Sequence, residues 1–135
     1  YPQDRIVYAT WSKPIVVMCN QNSYSNAEIF SHSIKTLKRG KLIGVPTAGG
    51  VISTDSTRIM DVGTLRLPFR GWYSVADGRD MELNGAIPDH IVWPEPGDEA
   101  KGLDRQLIKA VEVLKEEVDL WKKRPQPPLI KASER

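Results

Sequence analysis

The 135-residue chain has a single cysteine, Cys19, which excludes an intrachain disulfide. At the end of an apolar run, Cys19 reads as a small core residue rather than a reactive thiol. Histidine is nearly as scarce, with two in the chain, His32 and His90. With no carboxylates at ligand spacing beside them, no zinc site, no other metal and no cofactor is expected. The phosphate-loop and dinucleotide glycine fingerprints are missing. No apolar run approaches membrane-spanning length and no signal peptide is visible, so no membrane span is expected and the cytoplasm is slightly favoured. The start at Tyr1 rather than Met leaves room for an upstream targeting segment or domain. Nineteen Lys and Arg against seventeen Asp and Glu, without a basic block, argue against a nucleic-acid partner. Internal repeats and low-complexity tracts are absent as well.

What the chain does have is a stretch from Pro14 to Phe30 that passes from an apolar run through a polar turn into helical periodicity. Ile15, Val16, Val17 and Met18 predict a strand covered on both faces, and Asn20 to Asn26 is almost wholly turn-forming. Ser25 stands at the junction. A hydroxyl there lies at the positive end of the helix dipole, beside backbone N–H groups that have no helical partner. Those N–H groups can receive the oxyanion formed when a serine attacks a carbonyl. Ser25-Asn-Ala-Glu28 is also a capping box, and by local pattern alone the cap is the ordinary reading. The G-x-S-x-G elbow does not apply, because neither flanking glycine is present.

Three ordered motifs add to this: Asn22-Ser-Tyr-Ser-Asn-Ala-Glu-Ile-Phe30, Gly44-Val-Pro-Thr-Ala-Gly-Gly50 and Gly85-Ala-Ile-Pro-Asp89. Together they resemble the tail-specific (C-terminal-processing) serine protease family, over most of the chain from about Ile15 to the helix after Gly97. The resemblance implies an α/β domain forming part of a Clp/crotonase-like fold, with Ser25 as nucleophile and the N–H of Asn26 as an oxyanion donor. One branch of that family places a lysine base where this chain has Gly50, and Lys38 and Lys41 lie too far along their elements to replace it. The tricorn branch keeps glycines there and uses a tetrad of serine, histidine, nucleophilic serine and glutamate. Glu82, in Met81-Glu-Leu-Asn-Gly85, occupies the place of that glutamate and is expected to orient the base through a further hydroxyl. A lone glutamate near a turn is otherwise simply solvated.

The family's histidine, its neighbouring serine and a second oxyanion glycine lie upstream of the nucleophile strand. The expected partners are therefore a peptide or unfolded-protein substrate, an upstream part of the same protein carrying the histidine base, and further copies in a homo-oligomer. The alternative is a non-catalytic peptide-binding or scaffolding domain of the same fold. His32, two turns along the helix, and His90, in the last strand, are expected to be packing or surface residues. Gly49 and Gly50 read as a tight turn that substrate backbone can approach closely. Ser25 is expected beside an open concavity.

In chain order, residues 1–12, with Arg5, Tyr8 and Trp11, read as a connecting segment. Residues 13–123 form the nucleophile-bearing unit, and residues 124–135 form a Pro-rich polar tail. Within the unit the pattern predicts a strand over Lys13–Asn20 and a helix over Ser25–Lys38, the latter stopped by Gly40. Its inward side is expected to carry Ala27, Ile29, Phe30, Ser33, Ile34 and Leu37. A second strand over Lys41–Val45 follows, parallel to the first through a right-handed crossover. Short strands at Val51–Thr54, Thr57–Asp61, Thr64–Pro68 and Trp72–Val75 predict a β meander. The last element is an amphipathic helix with the stripe Leu103, Leu107, Val111, Leu114, Val118 and Trp121.

Overall fold

The structure, a computed structural model, describes residues 11–125, 128 and 130–134. Most of the expected connecting segment, including Arg5 and Tyr8, and part of the tail lie outside the described residues. The rest is a mixed α/β arrangement. β1 (Val16–Cys19) leads into α1 (Asn26–Thr36), which leads into β2 (Lys41–Gly44). β1 and β2 pair in parallel from Val16 opposite Lys41 to Cys19 opposite Gly44. β5 (His90–Ile91) adds to the other edge of β2, also in parallel, so the sheet order is β1-β2-β5.

The alternation of a strand distributes the apolar run over both faces of this small sheet. Val16 and Ile43 point to one face, where Ala110 and Val113 of α2 (Arg105–Lys123) pack with Val92. Cys19, Leu42 and Val17 point to the other, with Ala86. The Cys19 thiol donates to the Val45 carbonyl at 3.4 Å, and burial raises its pKa. That suits a packing role for this thiol.

α1 begins and ends nearly where its punctuation predicts, but it is rotated from the expected face. Its buried residues are Glu28, Ser31 and Ile34, whereas Phe30 and Leu37 are exposed. Polar residues enter because each is satisfied: the Ser31 hydroxyl donates to the Ala27 carbonyl at 2.8 Å, and Glu28 is fully engaged as described below. Gly40 does not end the helix. The left-handed residue after α1 is Lys38, at φ 49°, whereas a Cβ on Gly40 would stand 2.4 Å from the Ile15 carbonyl of the neighbouring strand. Gly40 is required by close approach, not by capping.

The expected meander is one long hairpin, β3 (Ser53–Ile59) paired antiparallel with β4 (Gly63–Arg70). The polar Thr54–Thr57 stretch does not interrupt it, since cross-strand pairing tolerates polar residues on a strand open to water. Trp72–Val75 contributes only an isolated bridge, Tyr73 with Asp80. Pairing puts Ile59, Leu65 and Leu67 on one face, Phe69 is the unpaired residue at a register shift between Pro68 and Arg70, and all four are exposed.

α2 is capped by Asp104, whose side chain accepts from the Leu107 N–H at 2.9 Å, and it ends before Pro125 as expected. Its buried positions are Ala110 and Val113; Leu107 and Val111 of the expected stripe face outward, while Leu114, Val118 and Trp121 are half-buried. The loop before α2 is anchored by Asp98, 4% exposed, which takes Arg105 Nε at 2.6 Å and the Glu95 N–H at 2.8 Å. The bond from Arg105 holds the Asp98 carboxyl below its ordinary pKa. A depressed carboxylate pKa stabilises the fold above the unfolded value, about 3.9, and that contribution is lost as pH falls through the folded value. Asp98→Asn should therefore melt below the wild-type chain at neutral pH. The difference between the two should close in acid, read as melting temperature against pH from 7 to 2.

Candidate active site

Ser25 is one of four non-glycine residues with positive φ among those described. It immediately precedes α1 with φ 57° and ψ −122°, a region that L-residues other than glycine rarely enter. Those angles belong to the first central position of a type II′ turn, and the Ala27 N–H closes that turn onto the Tyr24 carbonyl at 3.2 Å. Ser25 and Glu28 stand in the capping-box arrangement. Yet the serine side chain makes no cap hydrogen bond, and the Glu28 N–H donates to the Ser25 carbonyl at 2.9 Å. The N–H of Asn26 has no hydrogen-bond partner among the described residues.

The strain makes a testable difference. Because the hydroxyl is not capping, Ser25→Ala should leave stability close to wild type, and Ser25→Gly should raise it by about 1 kcal/mol through relief of the positive φ. Chemical denaturation of the three proteins checks this. A working cap would instead give a loss of about 1 kcal/mol for the alanine variant.

The glycine turn is tied directly to Ser25. The Ser25 N–H donates to the Gly50 carbonyl at 3.1 Å, and the Ala48 N–H donates to the Ser23 carbonyl at 3.0 Å. Gly49 has φ 77°, and a Cβ there would lie 3.2 Å from Leu83 backbone atoms, so the turn needs glycine twice over. The Gly49 carbonyl accepts from the Leu83 N–H at 2.8 Å, which brings in the Met81–Gly85 segment. Leu83 is itself left-handed, at φ 61°. Two of the four non-glycine residues with positive φ among those described thus sit in these few turns.

Glu82 comes to the same turn by another route. Its Oε2 accepts from the Val51 N–H at 2.7 Å and the Ile52 N–H at 2.9 Å, immediately after Gly50. The carboxylate is half-buried and has no hydrogen bond to Ser25. Neither histidine has one either: His32 Nε2 lies 3.2 Å from the Asn84 carbonyl, a contact in which the ring nitrogen donates, and His90 belongs to β5. Asp89 of the third motif has a structural task. Its Oδ2 accepts from the Leu42 N–H at 2.8 Å, and its own N–H donates to the Leu42 carbonyl at 2.8 Å, joining the strand ends.

Ser25 is half-buried and does not line the cavities nearby. One, about 590 Å³, is walled by Thr47, Ala48, His32 and the 74–87 segment; another, about 660 Å³, by Asn20, Gln21 and the loop before α2. What sequence reasoning missed is Glu28, read as a helix cap but lying wholly buried at the centre of these turns. Its S-x-x-E spacing was visible; its distant partners were not.

Comparison with known proteins bears on this arrangement. The model of peptidase family S41 matches residues 2–92. Tricorn protease of Thermoplasma acidophilum is 38% identical over 117 residues, covering 84% of this chain and 11% of its own length. Tricorn protease homolog 1 of Streptomyces coelicolor is 36% identical over 112 residues, covering 82% and 10%. The crystal structure of the tricorn protease superposes with a TM-score of 0.73 at 34% identity, over 78% of this chain and 10% of that one. The photosystem II D1 C-terminal processing protease gives 0.55 at 26% identity, over 62% and 22%. Fold and matches together define the class as a peptidase-type α/β domain. The chain belongs to peptidase family S41. It spans about a tenth of the length of the curated relatives it matches.

Proposed function

We propose that the chain is the nucleophile-bearing part of a tricorn-like serine peptidase, its α/β unit over residues 13–123 forming part of a Clp/crotonase-like fold. The observation that carries this is Ser25 at φ 57° and ψ −122° before a helix, its hydroxyl making no cap hydrogen bond. Strain of this kind persists where surroundings over-determine it, and a nucleophile presented at a sharp strand-to-helix turn is one use of it. In this reading Ser25 Oγ attacks the scissile carbonyl of a peptide or unfolded protein while a histidine takes its proton. The unpartnered Asn26 N–H donates to the resulting oxyanion, and Gly49 and Gly50 let the substrate backbone approach. Glu82 orients the base through a further hydroxyl.

The histidine is assigned to protein outside this chain, since neither His32 nor His90 hydrogen-bonds Ser25. Open apolar faces on the β3–β4 hairpin and on α2 support additional protein, from the same product or from further copies in a homo-oligomer, packing there. Fluorophosphonate labelling of the complete gene product tests the reading. Ser25-dependent labelling is expected; complete product that never labels favours a non-catalytic peptide-binding or scaffolding domain.

A further inference from the structure

We propose that Glu28 is a positioning residue for the reaction, locking the Ser25 backbone and the Gly49–Gly50 turn into one rigid unit. This rests on the reading of Ser25 as nucleophile. The Glu28 side chain is fully buried, with 0% exposure. Four donors from two separate stretches of chain converge on it. Oε1 accepts from the Thr47 hydroxyl at 2.6 Å and the Gly49 N–H at 2.6 Å. Oε2 accepts from the Gly50 N–H at 2.8 Å and the Ser25 N–H at 3.1 Å. Thr47 in turn accepts the Ala86 N–H at 2.8 Å on the same hydroxyl, so the nucleophile, glycine-turn and Gly85–Asp89 motifs meet around one carboxylate.

A capping glutamate needs only the bond to the N-cap N–H and ordinarily remains at the helix surface. The three additional donors are not caps. They bind the turn that is to receive substrate backbone to the residue that attacks it. The Ser25 N–H is shared between Glu28 Oε2 and the Gly50 carbonyl, so the strained serine is gripped from two sides. Only an acceptor-only group satisfies all four donors. In glutamine one oxygen becomes an NH₂, which either faces the Ser25 and Gly50 N–H groups with a donor or, on the other side, strands the Gly49 N–H and forces the Thr47 hydroxyl to turn and accept. A serine backbone released by a fraction of an ångström misaligns Oγ and the Asn26 N–H together, whereas substrate binding elsewhere on the protein is unaffected.

The experiment uses the complete gene product carrying Glu28→Gln, with wild type and Ser25→Ala alongside, well below each melting temperature and with the folded fraction measured. Peptide hydrolysis should show kcat lowered by about 10²-fold per folded molecule, with a much smaller rise in KM from the loosened Gly49–Gly50 turn. Fluorophosphonate labelling at Ser25 should slow in parallel. Should Glu28→Gln not fold, Thr47→Val removes one donor to Glu28 together with the acceptor of the Ala86 N–H, and should lower kcat several-fold, again with a smaller change in KM. Folded Glu28→Gln, or in its place folded Thr47→Val, with wild-type kcat and labelling rate overturns the positioning role alone. Loss of activity that only tracks the unfolded fraction also overturns it. Wild-type protein that neither labels at Ser25 nor cuts peptide overturns the nucleophile reading as well, and so is told apart from the other outcomes.

Discussion

Ser25→Ala in the complete gene product is expected to lower peptide hydrolysis by about 10⁴-fold or more while leaving the fold and its melting temperature nearly unchanged. The size of the loss follows from removing the atom that forms the covalent bond, for which nothing else at this turn can substitute. The intact fold follows from geometry: the hydroxyl makes no cap hydrogen bond, and the bonds that hold the turn come from the backbone N–H of Ser25, not its side chain. Turnover of a peptide substrate beside circular dichroism melting separates the two effects. An alanine variant with wild-type turnover would remove Ser25 from the chemistry.

Glu82→Gln should lower kcat by roughly 10³-fold, again with the fold retained. The two roles of Glu82 can be separated because both described bonds fall on one oxygen, Oε2, which accepts the Val51 and Ile52 N–H groups. A glutamine carbonyl can take that position and satisfy the same two donors, directing its NH₂ where Oε1 now stands. Charge and acceptor capacity are then lost only on the side left to orient the base. If Glu82 serves the backbone alone, Glu82→Gln will retain near-wild-type kcat. Comparing kcat and melting temperature for this substitution with those for Glu82→Ala, which drops both roles, completes the test.

Much of the sheet and its crossover was legible because the relevant signals are local. The Val16–Cys19 and Lys41–Gly44 strands lie inside apolar runs bounded by turn residues, and Ser25 precedes α1 as its spacing indicates. Long-range satisfaction of polar groups was not legible. Apolar periodicity assigned Phe30 and Leu37 to the inward side of α1, yet Glu28 and Ser31 lie there, the glutamate because Thr47, Gly49 and Gly50 supply it with donors from the next turn. Counting apolar residues cannot register a carboxylate whose partners lie some twenty positions away. The hairpin was missed for the converse reason: a run such as Thr54–Thr57 looks like a break when a strand is judged by burial, and this hairpin is exposed nearly throughout. On α2 the Leu107 and Val111 stripe was recognised as apolar, but the small Ala110 allows the sheet to pack one position away.

At the candidate site, the motif order identified which residues belong together, and the structure ties the nucleophile and glycine turns to the Met81–Gly85 segment through Gly49, Gly50 and Leu83. Sequence could not supply the backbone strain at Ser25. Ser23 and Ala27 stand where other elbows carry their flanking glycines, so the type II′ geometry comes from bonds to Gly50 and Glu28 instead.

The most direct test of the central claim, that Ser25 is a nucleophile whose base comes from outside these 135 residues, is mass-spectrometric mapping of a fluorophosphonate adduct on the complete gene product and on the isolated chain. A serine hydroxyl without a base within hydrogen-bonding reach is a weak nucleophile, so the adduct should appear on Ser25 in the complete product and not in the isolated chain. Rapid labelling of Ser25 in the isolated chain, or an adduct on a different residue of the complete product, would contradict it.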